Sequence, residues 1–307
     1  MKNPLKPILI FFTLLAVISF LANNAISQEK IIDAQTRGIN LKEQPEWKTL
    51  GIVGFVNMPG ADGDGKPSDD KDNVINCLGV IDDNGKISTQ IKNDLKTKKY
   101  NCLKISLGYK FKGYASDKSL IPVYKIADQK DIPVVFDFGD SSQKDESFKF
   151  GPPLHLDEVA VANRNVDFVI SRCGNPWIQD AAQVAYKNKN VFLECSAFLT
   201  GDIDKMDVKE ITATMVDPLK WVYYYIENPQ RIMYGSDYPN VKGDNLKTYL
   251  QYYKGAIPPA ARQRVFYENA VCLYKLYNNF IKDNNIIDTC KEWRRQSKVK
   301  SQIGRAN

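Results

Sequence analysis

The chain has 307 residues, of which 43% are hydrophobic and 25% are charged, and its formal net charge is +6. This composition excludes a fibrous or disordered chain and provides enough apolar side chains for a sizeable core. The positive charge lies mainly at the two ends of the chain, which argues against a nucleic-acid-binding protein.

The first 27 residues have the pattern of a secretory signal. Lys2 and Lys6 precede a nearly continuous apolar run over residues 8–22, and small residues suited to cleavage follow at 25–27. A membrane-spanning helix needs about 20 apolar residues, and this run is shorter. We therefore expect an exported protein, periplasmic or secreted, with no stable membrane span after signal removal. An uncleaved anchor is the alternative.

Eight short apolar runs follow the leader, with helix-like segments between the later ones. The runs are nearly continuous in apolar residues, as parallel strands covered on both faces should be. Eight such runs with crossovers predict an α/β fold, a (β/α)8 TIM barrel, as one domain over residues 28–290. The runs are Lys30–Ala34, Gly51–Val56, Cys77–Ile81, Leu103–Leu107, Ile132–Phe136, Val166–Ile170, Val191–Cys195 and Arg231–Tyr234.

Four helices are predicted around the later strands. Apolar stripes indicate one helix over Ile121–Ala127 and another that begins near Leu156. Asn175 and Pro176 suit the N-cap and the first turn of a third helix. Residues Tyr267–Ile281 are predicted to form a closing helix after the last strand.

Residues 291–307 form a basic C-terminal tail with six basic residues and one acidic residue. We expect this tail to be a solvated, frayed terminus. The remaining chain between leader and tail is close to neutral, so we predict no nucleic-acid partner.

The six cysteines show no CxxC pair and no regular spacing. Cys77, Cys102 and Cys195 lie in apolar runs, where a free thiol behaves as a small buried hydrophobe. An exported protein can form disulfides, and Cys272 with Cys290 is the pair we suspect.

Polar or charged residues follow four of the predicted strands, where barrel enzymes carry their sites. The segments are Asp33-Ala34-Gln35-Thr36-Arg37-Gly38, Asp137-Phe138-Gly139-Asp140, Ser171-Arg172-Cys173-Gly174-Asn175-Pro176-Trp177 and Gly235-Ser236-Asp237-Tyr238-Pro239.

These segments resemble the amidohydrolase-related family, in the branch that includes aminocarboxymuconate-semialdehyde decarboxylase and related metal-dependent hydrolases. The resemblance extends from Ile31 to Ala270, and its most specific motifs are Cys173–Trp177 and Gly235–Pro239. It implies a (β/α)8 barrel with hydrolase or carboxy-lyase chemistry at a metal site.

The chain departs from the family pattern at four of the five metal-ligand positions that the resemblance implies. Gln35 and Arg37 stand where the first strand would end in His-x-His. Asp137 and Arg172 stand where the fifth and sixth strands would each supply a histidine. Asp237 alone matches, and it is therefore the predicted catalytic residue.

These departures argue against a zinc site. Catalytic zinc is usually held by imidazole nitrogens, and the one histidine, His155, lies at none of these positions. Arg37 and Arg172 cannot ligate a cation, because a guanidinium has no lone pair to donate. We therefore predict no metal and no cofactor. We also expect His155 at a helix entry rather than in a Ser-His-Asp triad.

The charges at these positions suggest a replacement for the metal. A buried arginine is costly without an anionic partner. Our hypothesis is that Asp237 and Asp137 pair with Arg172 and Arg37 in the barrel mouth.

Four functions remain open. The first two are a pseudoenzyme whose ion pairs only fill the vacated site, and a protein whose arginine fork binds a small carboxylate. The third is an active hydrolase or carboxy-lyase without metal, with Asp137, Asp237 or Asp140 as base. The fourth is an oxygen-only Mg²⁺ or Ca²⁺ site that adds Glu194 to Asp137 and Asp237. The sequence favours a protein without the family's metal-dependent activity, and it gives neither a substrate nor an oligomeric state.

Overall fold

The computed structural model describes residues 29–39, 46–59, 68, 73–82, 85–97, 99–108, 111–138 and 148–303, with backbone alone from residue 295 onward. The predicted signal over residues 1–27 and Asp140 lie outside the described residues.

Eight parallel strands follow one another around a barrel in the order of the sequence. They are β1 (Ile31–Thr36), β2 (Ile52–Asn57), β3 (Val74–Gly79), β4 (Tyr100–Ser106), β5 (Val134–Asp137), β6 (Phe168–Ile170), β7 (Val191–Glu194) and β8 (Ile232–Met233). Each corresponds to one of the eight apolar runs, so the predicted (β/α)8 barrel is confirmed. β3 begins at Val74 instead of Cys77 and ends before Ile81, because Ile81 makes an antiparallel bridge with Ile87.

Hydrogen bonds between β1 and the end of β8 join the first and last strands. Ala34 N donates to Tyr234 O at 3.0 Å, and Asp237 N donates to Gln35 O at 3.0 Å. Arg37 N donates to Tyr238 O at 2.9 Å. The segments that carry Gln35, Arg37 and Asp237 are therefore neighbours at this closing seam.

Eleven α-helices lie among the described residues. They are α1 (Glu46–Thr49), α2 (Ile91–Asp94), α3 (Ile121–Lys130), α4 (Leu156–Ala162), α5 (Ile178–Lys187), α6 (Val208–Ile211), α7 (Asp217–Tyr225), α8 (Asp244–Ala256), α9 (Pro259–Gln263), α10 (Asn269–Leu273) and α11 (Asn284–Ile303). Within this part of the chain, no helix has the length and apolar character that a membrane span requires.

Two predicted helices have boundaries that differ in the structure. α5 begins at Ile178 with Trp177 as its N-cap, because Asn175 ends the short turn that follows β6. The closing helix starts earlier than Tyr267, since α9 and α10 are joined by a π-helical segment over Arg264–Glu268. It ends at Leu273, shortly before Lys275 adopts a left-handed conformation with φ of 56°.

α11 runs across the expected start of the basic tail at residue 291. Arg294 on this helix forms an ion pair with Asp131, with Nη1 3.0 Å from Oδ1, and donates a hydrogen bond to Leu273 O. The frayed terminus that we expected is therefore helical to Ile303, and Arg294 is anchored to the barrel.

Apolar side chains fill both sides of the barrel wall. Val134 and Phe136 of β5 pack with residues of the surrounding helices, whereas Val135 belongs to a second cluster. Because successive side chains of a strand point to opposite faces, this second cluster fills the barrel interior. Ile286 and Cys290 of α11 belong to it, so the C-terminal helix covers the end of the barrel opposite the strand C-termini.

Three disulfides crosslink neighbouring elements: Cys77–Cys102, Cys173–Cys195 and Cys272–Cys290. The suspected pair of Cys272 and Cys290 is confirmed. The expectation of free buried thiols at Cys77, Cys102 and Cys195 was wrong. Cys77 and Cys102 are direct partners in the register of β3 and β4, and the partners Cys173 and Cys195 follow the neighbouring strands β6 and β7.

Candidate functional site

Four of the five predicted site residues form one charged cluster at the C-terminal ends of the strands. Arg37 Nη2 lies 3.8 Å from Asp237 Oδ2. Arg172 Nη2 lies 3.7 Å from Asp237 Oδ1, and Arg172 Nη1 lies 4.0 Å from Asp137 Oδ1. The arginine–carboxylate contacts of our hypothesis are therefore present, and Arg172 contacts both aspartates.

Lys104 is a fifth charge in this cluster that the sequence reading missed. Its Nζ lies 3.2 Å from Asp137 Oδ2, and its side chain is 2% exposed. Burial alone would raise the pKa of Asp137, but Lys104, Arg172 and Arg37 lower it to about 2. The alternation of side chains along the strand could have revealed Lys104. Cys102, Lys104 and Ser106 point to the same side of β4, which puts Lys104 on the interior face.

Gln35, the fifth predicted residue, is fully buried at the closing seam. Neither its amide nitrogen nor its amide oxygen has a hydrogen-bond partner among the described residues. A Cβ placed on Gly235 would lie 2.9 Å from Gln35 Cβ and would overlap Glu194 Oε1. Gln35 and Glu194 therefore lie over the bare backbone of Gly235.

Two buried carboxyl groups lie beside the charged cluster. Burial, with Asp237 and Asp33 adding repulsion, raises the pKa of Glu194 to about 8. Burial raises the pKa of Asp33 to about 7, although its Oδ1 accepts hydrogen bonds from Ser236 N and Gln35 N. Asp33 was visible at the strand end but received no role, and Glu194 was considered only as a metal ligand. Near neutral pH both groups retain much of their neutral form.

An unusual turn positions Arg172. Arg172, Cys173 and Gly174 have φ angles of 55°, 51° and 66°, in the left-handed region that non-glycine residues rarely adopt. Glu194 Oε2 accepts a hydrogen bond from Arg172 N at 3.1 Å, and the disulfide joins Cys173 to Cys195. Both contacts hold this turn against the end of β7. From the turn, the side chain of Arg172 extends to Asp237.

The residues at the mouth do not fit the metal that the family resemblance implies. Arg37 and Arg172 lie within 4 Å of Asp237, the one matching ligand position, and cations so placed repel a metal ion. Lys104 and Arg172 flank Asp137 in the same way, which also opposes an oxygen-only site. Within the described residues, no group of three or more His, Cys, Asp or Glu side chains could hold a metal ion. His155 lies at the entry of α4, with its ring 4.3 Å from that of Tyr114.

The family assignment rests on comparison with known proteins. A family model described as amidohydrolase matches residues 83–276, more than half of the chain. The chain belongs to the amidohydrolase family. This assignment confirms the resemblance read from the strand ends.

Solved structures of similar fold accompany this family match. A TIM-barrel protein from Bordetella bronchiseptica is 17% identical with a TM-score of 0.62, over 81% of this chain and 100% of that one. An amidohydrolase from Burkholderia multivorans with bound zinc is 12% identical with a TM-score of 0.58, over 80% and 99%. A probable 2-pyrone-4,6-dicarboxylic acid hydrolase from Acinetobacter baumannii with bound citric acid is 10% identical with a TM-score of 0.55, over 80% and 99%. At these identities the similarity shows the fold alone. No curated protein matches the chain.

Proposed function

We propose that this amidohydrolase-family barrel lacks the family's metal-dependent hydrolase activity and binds a small carboxylate in its mouth. The placement of the two arginines carries the proposal. Their guanidinium groups lie 3.7–4.0 Å from the carboxylates of Asp137 and Asp237, at the edge of the barrel where the strand C-termini meet. The side chains of Arg37 and Arg172 are 28% and 18% exposed, so a ligand carboxylate can approach both.

The charge balance of the mouth favours an anion. Three cations, Lys104, Arg37 and Arg172, face the carboxylates of Asp137 and Asp237. Glu194, with its pKa at about 8, adds little negative charge at neutral pH. Asp33, with its pKa at about 7, is partly ionised there, so these described groups together leave less than one excess positive charge. A guanidinium fork suits a carboxylate. The bound citric acid of the Acinetobacter baumannii hydrolase supports the same ligand class.

Elemental analysis and a binding screen test this proposal. We expect purified protein to contain far less than one zinc per chain, and near-stoichiometric zinc would overturn the metal-free part of the proposal. A thermal-shift screen of mono- and dicarboxylates should raise the melting temperature, because a ligand that binds only the native state stabilises it.

Arg172→Ala should abolish the carboxylate response, whereas Lys189→Ala removes a cation from an exposed position after α5 and should leave it unchanged. If no carboxylate shifts the melting temperature of the wild type, the binding part of the proposal fails, and the result favours the alternative in which the ion pairs only fill the vacated site. Metal-free turnover of a carboxylated substrate would instead establish the active-enzyme alternative.

We also propose that the protein is exported. The three disulfides support this, because such bonds persist mainly in oxidising compartments. The leader pattern over residues 1–27 supports it independently. Expression of the full chain followed by cell fractionation and N-terminal sequencing tests the proposal. A chain that stays in the cytosol with Met1 intact would contradict it.

A further inference from the structure

We propose that the carboxylate site becomes competent only when the disulfide between Cys173 and Cys195 has formed, because this crosslink holds Arg172 in its binding position. The inference rests on the carboxylate site proposed above and concerns its regulation: the oxidation state of one cysteine pair decides whether the site can bind. The two cysteines are positioning residues, since they act on the ligand only through the arginine.

The backbone that carries Arg172 is unfavourable on its own. Arg172 and Cys173 are consecutive residues with φ angles of 55° and 51°. Residues other than glycine are disfavoured in this left-handed region, because their Cβ crowds the following carbonyl oxygen. Such conformations persist only when the surrounding structure holds them. Without that restraint the turn would relax, and the guanidinium group would leave its place beside Asp137 and Asp237.

The disulfide supplies a covalent restraint at this turn. Cys173 is the residue after Arg172, and Cys195 is the residue after Glu194, which ends β7. Cys195 N donates a hydrogen bond to Met233 O of β8 at 3.0 Å, so the far end of the crosslink is fixed to the barrel wall. The crosslink therefore keeps Arg172 N within reach of Glu194 Oε2, which accepts its hydrogen bond at 3.1 Å.

The formation of this crosslink is an oxidation. The two thiols lose two protons and two electrons as the S–S bond forms, and a disulfide such as oxidised glutathione accepts them and is reduced to two thiols. Cys173 and Cys195 are both 0% exposed in the folded chain. A thiolate from solution cannot reach either sulfur atom unless the fold opens locally. The step is therefore a maturation event that folding protects, and not a reversible switch.

Titration calorimetry of the purified protein with acetate, succinate and citrate tests the inference. Each carboxylate that binds the wild type should bind Cys173→Ala/Cys195→Ala at least about tenfold more weakly. Cys272→Ala/Cys290→Ala is the matched control, because it removes a crosslink with a sequence separation of 18 instead of 22 at the other end of the barrel. It should keep the wild-type affinity. Equal losses of affinity in the two variants would overturn the inference.

A glycine variant tests whether the turn itself places the arginine. Glycine adopts a φ of 51° without the steric cost of a Cβ, so Cys173→Gly/Cys195→Ala should bind more tightly than Cys173→Ala/Cys195→Ala although neither has the crosslink. Equally weak binding by the two variants would contradict a role for the left-handed turn. Wild-type affinity in Cys173→Ala/Cys195→Ala would overturn the inference and leave the carboxylate site intact.

Oxidative refolding tests the order of events. When reduced, unfolded wild type refolds with oxidised glutathione, carboxylate binding should appear together with the Cys173–Cys195 bond, which peptide mapping of alkylated samples follows. Binding that precedes this bond would overturn the inference. The folded, oxidised protein should keep its affinity in dithiothreitol, and a rapid loss would contradict the protection of the bond. If none of the three carboxylates binds the wild type, the proposed site fails together with its regulation.

Discussion

Glu194 accepts a hydrogen bond from the backbone N–H of Arg172 at 3.1 Å. The donor belongs to a residue with a φ of 55°, and the guanidinium group of that residue contacts Asp237. A buried carboxyl group on β7 thus stabilises the backbone turn from which the site arginine extends. Glu194 acts here as a positioning residue whose neutral form is sufficient.

Substitution of Glu194 should distinguish its hydrogen bond from its charge. At pH 6, below its pKa of about 8, Glu194→Gln keeps an acceptor for Arg172 N and should change the free energy of unfolding by less than about 1 kcal/mol. Glu194→Leu leaves that N–H unpaired and should cost about 1–3 kcal/mol. Urea unfolding measures both. Equal losses in the two variants would mean that the hydrogen bond is not the stabilising contact.

Stability should decrease as the pH rises from about 5 to 8. Glu194 and Asp33 have pKa values raised from 4.5 to about 8 and from 3.8 to about 7, so the folded chain holds protons that the unfolded chain releases. The free energy of unfolding therefore falls with pH across this window. Asp137 acts at lower pH, because its pKa of about 2 adds stability that is lost only as the pH falls below about 4.

Thermal melts in a pH series test this expectation. Glu194→Gln together with Asp33→Asn should flatten the decrease between pH 5 and 8. A wild-type melting temperature that is constant or rises over this range would contradict the burial of two neutral carboxyl groups.

Lys104→Met should be strongly destabilising. Asp137 is 6% exposed and would lose the cation 3.2 Å from its Oδ2, which leaves Arg172 at 4.0 Å as its nearest compensating charge. Removal of one partner of a buried pair typically costs about 3–5 kcal/mol. The double variant Lys104→Met/Asp137→Asn should recover part of this loss, as measured by chemical denaturation. If the loss of unfolding free energy in the double variant equals the sum of the losses in the two single variants, the two charges do not interact.

Gly235→Ala should disrupt the mouth. The new methyl group would overlap Glu194 Oε1 and lie 2.9 Å from Gln35 Cβ, closer than folded proteins allow. We expect a large loss of melting temperature, partly restored in Gly235→Ala/Glu194→Ala. Gly255 of α8 has nothing within 4 Å of its added Cβ, so Gly255→Ala is the matched control and should be neutral or stabilising. A neutral Gly235→Ala would contradict the close approach.

The disulfide between Cys272 and Cys290 should stabilise the attachment of α11. It closes a sequence separation of 18 residues, for which loss of the crosslink typically costs about 2–4 kcal/mol. Cys272→Ala/Cys290→Ala tests this by thermal melting. If the double variant loses no more stability than Cys290→Ala loses under reducing conditions, the lost packing explains the effect and the crosslink does not.

The fold was largely readable from the sequence because its strands are buried on both faces. Each gives a short apolar run, and β1, β2 and β7 begin within one residue of the predicted positions. The errors came at positions where pairing or packing with neighbouring segments overrode the local conformational preference. β3 gains Val74 to Asn76 because those residues pair with β2. Asn175, which with Pro176 is a sound helix start by local rules, instead ends the turn that positions Arg172.

The sequence predicted only those site residues that lie at the C-terminal ends of the strands. Arg37, Asp137, Arg172 and Asp237 meet because the ends of parallel strands share one edge of the barrel. Lys104 escaped notice because it lies inside an apolar run, where its direction depends on strand alternation. The disulfides Cys77–Cys102 and Cys173–Cys195 were equally hidden, because they depend on which residues face one another across strands.

Because the site lies at the closing seam, it is complete only after the chain has been synthesised through the eighth strand. Gln35 lies in the first strand and Arg37 follows it, whereas Asp237 follows the last strand. The backbone hydrogen bonds between these segments close the barrel. A nascent chain that stops before β8 carries the two arginines without Asp237. The complete charged cluster therefore forms only after translation has passed the eighth strand and the two ends of the barrel have met.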